Sequence, residues 1–183
     1  FPKVWHSEQK LNGCCSSCKN QKQNLLNASP KNKAEAIDLL VDLQVKGGKI
    51  TDRETYKQGI LAREENGSTA VGEGIAIPHA KNAAVKAPSL AAMTVPEGVD
   101  YEALDDEPSN LLFMIAAPSD GGDVHLEVLS RLMVILMDED FRAKLLAAES
   151  KETFLQAIQN GMEAIVDGFT GEIFVDPDEE TKA

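Results

Sequence analysis

Long apolar runs and basic residues are scarce in this chain of 183 residues. No apolar stretch approaches the roughly 20 residues that a membrane-spanning helix requires, so we expect no direct membrane insertion. The first ten residues also lack the apolar centre of a secretory signal, which makes the cytoplasm the expected location. With 43% hydrophobic and 26% charged residues, the composition is that of a globular protein rather than a disordered one.

Acidic residues outnumber basic ones by 30 to 18, which gives a formal net charge of −12. This balance argues against nucleic acid or an anionic membrane surface as a partner. The charge is uneven, because residues 1–33 carry six lysines and one acid whereas residues 161–183 carry seven acids and one lysine. We interpret both ends as solvated segments.

Cysteine is confined to three positions near the start of the chain, Cys14, Cys15 and Cys18. They do not form the paired CxxC signature of a structural zinc site, even with His6 nearby, and three clustered cysteines do not suit a disulfide framework. We therefore predict free thiols and no bound metal.

The pattern of polar and periodic segments predicts one central domain with two extensions. Residues 1–24 are polar without a sustained period and predict a flexible leader. Residues 25–160 interleave short apolar segments with amphipathic ones and are long enough to bury a sizeable core. Residues 161–183 form an acidic extension, for which a hairpin near 170–175 and an unpaired tail are alternatives.

Within the central domain, short apolar runs predict buried strands, and helical periods with capping residues predict helices. We place the strands at 25–26, 70–77, 90–95 and 111–117. We place the helices from Ser29–Pro30 or Asn32 to Gly47, from Thr51 to Glu65, from Asp123 through Leu136, at 139–148 and at 151–160. Leu126, Leu129, Met133 and Leu136 are expected on the core face of the third helix. This alternation predicts an α/β fold whose sheet is covered on both sides.

His79, one of only three histidines, follows a short apolar run that predicts a strand stopping at Pro78. Because proline cannot donate to a sheet ladder, we expect the imidazole to project beyond the end of the sheet. Upstream lie the guanidinium of Arg63 and the hydroxyls of Ser68 and Thr69. A nucleophilic nitrogen, a fixed cation and hydroxyl donors are the groups needed to accept and hold a phosphoryl group.

Three ordered blocks of the sequence carry a family resemblance. The stretch from Arg63 to Lys81, REENGSTAVGEGIAIPHAK, resembles the phospho-acceptor motif of the fructose/mannitol-type EIIA domains of the bacterial phosphotransferase system. Residues 123–132, DVHLEVLSRL, resemble the second histidine segment of that family, and residues 98–118 are most similar to its fructose branch. The resemblance implies a three-layer α/β/α sandwich with a mixed central sheet.

The resemblance also implies a phosphocarrier that accepts a phosphoryl group from phospho-HPr on Nε2 of His79 and passes it to a cysteine of EIIB during sugar uptake. Such a carrier needs no cofactor, because its donor is an activated phosphohistidine and catalysis consists of positioning and charge stabilisation. Both partners must reach His79, so we expect an apolar rim there, with the neighbourhood of Pro78 and Met93 or Met114 as candidates. Two other functions stay open: a regulatory nitrogen-type module that binds targets according to its phosphorylation state, and a binding domain that retains only the fold.

Arg63 and His125 complete the predicted catalytic set. Arg63 is expected to face the phosphoryl oxygens, with a solvated role in the last turn of a helix as the alternative and Lys81 as the rival cation. His125 falls in a first helical turn, where a neutral imidazole that donates an N–H to the phosphoryl group is favoured. The alternative for His125 is a partly buried polar residue at the helix start.

Ser68 and Thr69 are predicted to bind the phosphoryl group. The alternative is that their hydroxyls cap the turn after Asn66–Gly67. Gly72 and Gly74 allow either a close approach of the backbone or a turn with positive φ.

Overall fold

The computed structural model describes residues 23–122 and 124–169. Its strands are β1 (Asn24–Leu25), β2 (Ala70–Gly72), β3 (Ile75–Ala76), β4 (His79–Asn82), β5 (Ser89–Val99) and β6 (Ser109–Pro118). Its helices are α1 (Lys33–Lys46), α2 (Arg53–Glu64), α3 (Val124–Leu136), α4 (Glu139–Leu146) and α5 (Lys151–Phe169). The three cysteines, the cap predicted at Asp123 and the hairpin predicted near 170–175 lie outside the described residues.

The strands form one mixed sheet in the order β1-β5-β6-β3-β2, and β4 also pairs with β6. Strand β1 is parallel to β5, β5 is antiparallel to β6, and both β3 and β4 are parallel to β6. Helices α1 and α2 pack on one face of the sheet, and α3, α4 and α5 pack on the other. The predicted α/β/α sandwich with a mixed central sheet is therefore confirmed.

Strand β6 contributes side chains to the two hydrophobic cores, one on each face of the sheet. Leu112 and Met114 pack with α1 and α2, whereas Leu111 and Phe113 pack with α3, α4 and α5. Because successive side chains of a strand point to opposite faces, an unbroken apolar run fills both layers. Met114 and its neighbour Met93 are fully buried. Our prediction that these methionines rim the functional site was wrong.

Capping residues fix where the first two helices begin. Asn32 caps α1 with its side-chain oxygen, which was one of the two predicted starts. Helix α2 begins differently from the prediction, because Asp52 rather than Thr51 accepts the backbone N–H of Thr55, at 2.8 Å. The hydroxyl of Thr51 donates instead to the carbonyl of Ala84, at 3.0 Å.

The buried face of α3 differs in part from the predicted one. Leu136 is fully buried as expected, but Leu126 is 50% exposed. The stripe that contacts the core contains Val128, Leu132 and Ile135. Helix α3 is rich in apolar residues all round, so its periodicity does not single out one face.

Candidate functional site

His79 is the first residue of β4, and the pairing with β6 continues through it. Strands β3 and β4 keep the same offset from β6, so they form one line that is interrupted at residues 77–78. The carbonyl of Pro78 accepts the backbone N–H of Ile115, at 2.9 Å, because proline lacks only the donor. His79 is paired with Ile115 and is half-buried. The predicted projection of the imidazole beyond the sheet was therefore wrong.

The alternation of side chains decides which face of the sheet carries His79. Ile77 packs in the core under α3, α4 and α5, and Ala80 packs in the opposite core. His79 therefore shares the face of Ile77. Half-buried His125 lies in the first turn of α3, the helix that covers this face and follows β6 in the chain. The topology brings both predicted histidines to the same side of the sheet.

A backbone carbonyl fixes the imidazole of His79. Its Nδ1 lies 2.8 Å from the carbonyl oxygen of Ile77. A carbonyl can only accept a hydrogen bond, so Nδ1 carries the proton and donates it. In the neutral ring the lone pair is then on Nε2. The geometry thus presents Nε2 as the nucleophilic atom.

Arg63 lies in the last turn of α2, where a cation also complements the helix dipole. Its Nη1 donates to the carbonyl of Gly67, at 3.1 Å. A guanidinium has several N–H donors in a planar fork, so this bond orients the group and leaves donors for the oxygens of an anion. The rival cation, Lys81, is exposed on β4 two residues after His79 and on the same face.

The hydroxyls of Ser68 and Thr69 have partners inside the protein. Ser68 Oγ donates to the carbonyl of Tyr101, at 2.7 Å, and accepts the N–H of Ala70, at 3.2 Å. Thr69 is buried, and its hydroxyl donates to the carboxylate of Glu64. A hydroxyl has a single proton to donate, so neither side chain has a donor left for a phosphoryl oxygen. The structure supports the alternative, a role in shaping the loop.

Comparison with known proteins identifies the family. Residues 18–161 match the family model described as "Phosphoenolpyruvate-dependent sugar phosphotransferase system, EIIA 2". The chain belongs to this EIIA family. The family predicted from the two histidine segments is therefore confirmed, and with it the phosphotransferase function that EIIA components share.

Two fructose-specific relatives match the central part of the chain. It is 49% identical over 133 residues to the fructose-specific EIIABC component of Bacillus subtilis (strain 168), and this match covers 73% of this chain and 21% of that protein. It is also 48% identical over 128 residues to the fructose-specific EIIA component of Haloferax volcanii, and this match covers 70% of this chain and 83% of that protein. The chain thus spans about a fifth of the length of the Bacillus relative.

A solved structure shares the fold. It is the complex of enzyme IIAMTL and phosphorylated enzyme IIBMTL from Escherichia coli, with a TM-score of 0.68 and 27% sequence identity. The match covers 77% of this chain and 96% of that one.

The carboxylate of Glu64, which the sequence analysis did not single out, organises the loop between α2 and β2 of this EIIA domain. The side chain of Glu64 is 6% exposed and forms an ion pair with Lys33, whose Nζ lies 3.0 Å from Oε2. Lys33 also pairs with Glu102, at 2.8 Å, and lies over the ring of Tyr101. Burial lowers the pKa of Lys33, but the hydrogen bonds and charges of Glu102 and Glu64 outweigh burial, so that pKa lies above its ordinary value.

One signal in the sequence could have revealed Glu64. It ends α2, where the helix dipole disfavours a carboxylate, so an acid at this place needs a local partner. Thr69 is its local partner, and two further partners are distant in sequence, since Lys33 lies in α1 and Tyr101 follows β5. Burial and the nearby charge of Glu64 raise the pKa of the Tyr101 hydroxyl, which keeps it protonated beside the carboxylate.

The two glycines before His79 form a turn. Gly72 and Gly74 have φ values of +88° and +73°, and Glu73 between them has +54°. The N–H of Glu73 donates to Asp105 Oδ2, at 2.9 Å, and backbone N–H groups of Glu73 and Glu107 hold the pKa of Asp105 below its usual range. The structure shows both roles considered for these glycines, since their φ values are positive and a Cβ at Gly72 or Gly74 would lie 2.8 Å from Asp105 Oδ2 or 2.6 Å from Asn110 Oδ1.

Two further searches cover the described residues only. Within 23–122 and 124–169, no group of three or more histidine, cysteine, aspartate or glutamate side chains could hold a metal ion. In the same part of the chain, no helix has the length and apolarity needed to span a membrane.

Proposed function

We propose that this EIIA domain carries a phosphoryl group on Nε2 of His79, from phospho-HPr to a cysteine of an EIIB domain, during uptake of a fructose-type sugar. The observation that supports this assignment best is the 2.8 Å contact between His79 Nδ1 and the carbonyl of Ile77, which leaves Nε2 with the lone pair. The two fructose-specific relatives support the choice of sugar class. We also propose that phosphoryl transfer takes place in the cytoplasm.

Phosphoryl uptake begins with attack by the lone pair of His79 Nε2 on the phosphorus of phospho-HPr. A new N–P bond forms, the N–P bond of the donor breaks, and its electron pair stays on the imidazole of HPr. The ring of His79 gains positive charge in this step, and the hydrogen bond from Nδ1 to the Ile77 carbonyl stabilises it. The guanidinium of Arg63 offsets the charge of the phosphoryl oxygens.

Phosphoryl release reverses these roles. The thiolate of the EIIB cysteine attacks phosphorus, an S–P bond forms, and the electron pair of the broken N–P bond returns to His79 Nε2. His125 lies at the start of α3 on the same side of the sheet. Its neutral imidazole donates an N–H to the phosphoryl group. Neither Arg63 nor His125 supplies the nucleophile, so both tune the rate of transfer rather than make it possible.

A residue other than the predicted methionines is a candidate for the apolar rim that both partner proteins contact. Leu126 follows His125 directly, is 50% exposed, and lies in the first turn of the helix that covers the His79 face. An exposed leucine next to a polar site is a suitable contact for a partner protein. We assign it to the docking surface in place of the buried Met93 and Met114.

A two-step assay tests the proposed function. We expect radioactive phosphoenolpyruvate, enzyme I and HPr together to label the chain on a histidine, in an acid-labile and base-stable bond. Addition of an unlabelled fructose-type EIIB domain is then expected to remove the label, and omission of HPr is expected to prevent labelling.

The assay also separates the alternatives. Label that enters the chain but passes to no EIIB domain would contradict sugar transport and favour the regulatory nitrogen-type module. A chain that takes up no label would contradict both of these and favour a binding domain that retains only the fold.

A further inference from the structure

A continuous path of hydrogen bonds joins the ion pair of Lys33 and Glu64 to the imidazole of His79. Glu64 Oε2 accepts the backbone N–H of Thr69, at 3.2 Å, and Oε1 accepts its hydroxyl. The carbonyl of Thr69 accepts the N–H of Ile77, at 3.0 Å. The carbonyl of Ile77 accepts Nδ1–H of His79, at 2.8 Å. The path therefore ends on the ring nitrogen that fixes the tautomer.

From this path we infer that Glu64, held by Lys33, is a positioning residue for His79. It touches neither the imidazole nor the site of the phosphoryl group, and it acts through Thr69 and Ile77. The inference rests on the proposed function, since it assigns a role in preparing His79 Nε2 for attack.

Glu64 occupies a position that is unfavourable for a carboxylate. Its side chain is 6% exposed and ends α2, so both burial and the helix dipole disfavour its charge. Lys33 compensates that charge at 3.0 Å, and two donors of Thr69 satisfy both carboxylate oxygens. A buried carboxylate with these partners holds its neighbours rigidly, because removing any one of them leaves a charge or a polar group unsatisfied.

Rigidity at Thr69 matters because residues 77–78 interrupt the strand that carries His79. At this interruption the chain is held by two bonds, from Ile77 N–H to the Thr69 carbonyl and from Ile115 N–H to the Pro78 carbonyl. If Thr69 moves, the carbonyl of Ile77 loses one of the two constraints on its direction. The imidazole then samples the other tautomer, in which Nε2 is protonated and has no lone pair for attack.

The test compares two variants that each remove part of the contact between Glu64 and Thr69 with two that leave this contact intact. Thr69→Val removes the hydroxyl in a side chain of similar shape, and Glu64→Gln removes the negative charge. Thr69→Ser keeps the hydroxyl and serves as the conservative rescue. Glu35→Gln is the matched control, because Glu35 also bonds a backbone N–H, that of Lys31 at 2.9 Å, at the start of α1 and away from His79.

Two readouts are measured on each full-length variant: the tautomer of His79, from the nitrogen chemical shifts of its unphosphorylated imidazole, and the rate of labelling by phospho-HPr. We expect the Nε2–H tautomer to become detectable in Thr69→Val and Glu64→Gln, with labelling slowed about tenfold. Thr69→Ser is expected to restore both readouts, and Glu35→Gln is expected to match the wild type.

Each outcome supports or overturns the inference. Wild-type tautomer and rate in a folded Thr69→Val variant would overturn it, and so would a slower rate without a change of tautomer. If Glu64→Gln fails to fold, the Thr69 pair decides the question. If phospho-HPr does not label even the wild type, the proposed function fails, while the tautomer spectra still decide whether Glu64 positions His79.

Discussion

Replacement of His79 by alanine is expected to abolish labelling of the chain by phosphoenolpyruvate, enzyme I and HPr. In the proposed mechanism the imidazole supplies the nucleophile, and the bond from Nδ1 to the Ile77 carbonyl positions its Nε2. The measurement is the radioactivity bound to the chain after acid-free electrophoresis. The expected result is the loss of all detectable label.

The other two histidines provide the controls for this experiment. His6→Ala is expected to keep full labelling, because the sequence around His6 carries no acceptor motif. His125→Ala is expected to keep the label at a reduced rate. Label retained in a His79→Ala variant would place the phosphoryl group on another residue, and the account of the site would fail.

Substitution of Arg63 is expected to have the second-largest effect. A charge-assisted contact with a transferring phosphoryl group contributes a few kcal/mol, so Arg63→Ala should slow labelling by roughly tenfold to a thousandfold. Arg63→Lys should lose less, because lysine restores the charge but not the planar fork. Rapid-quench time courses of labelling measure the three rates.

A matched arginine at the other end of the same helix serves as the control for Arg63. Arg53 begins α2 and forms ion pairs with Asp38, Asp42 and Glu54, so Arg53→Ala should label at the wild-type rate. Equal rates for Arg63→Ala and the wild type would show that the guanidinium only fixes the Gly67 carbonyl. The stabilising cation would then have to be Lys81, on the same face as His79.

His125 is expected to affect the two half-reactions unequally. A contact that holds the phosphorylated state also tunes its release, so in His125→Ala the transfer from HPr should survive better than the transfer to EIIB. A labelling time course followed by a chase with EIIB resolves the two steps. Wild-type rates in both steps would mean that His125 is structural.

Local patterns in the sequence were sufficient for the layers of the fold and for the family to which the chain belongs. Asn32 signals the start of α1, and the apolar run 111–117 signals a buried strand, because both depend on neighbouring residues alone. The segment that contains His79 belongs to a family motif, so its chemistry could be predicted without a structure.

Two errors of prediction share a physical cause, which is that the decisive partner lies far away in the sequence. Pro78 does not end the sheet because Ile115 of β6 donates to its carbonyl. The hydroxyl of Ser68 is not available to a phosphoryl group, because the carbonyl of Tyr101 accepts its proton. No local pattern reports such tertiary contacts.

The most direct test of the central claim is to identify the phosphorylated atom. The chain, labelled with ¹⁵N in its histidines and phosphorylated by phospho-HPr, is examined by ³¹P and ¹⁵N nuclear magnetic resonance. Our account predicts a phosphoryl group bonded to Nε2 of His79, with Nδ1 still protonated and bonded to the carbonyl of Ile77. A phosphoryl group on Nδ1 of His79, or on any other residue, would contradict it.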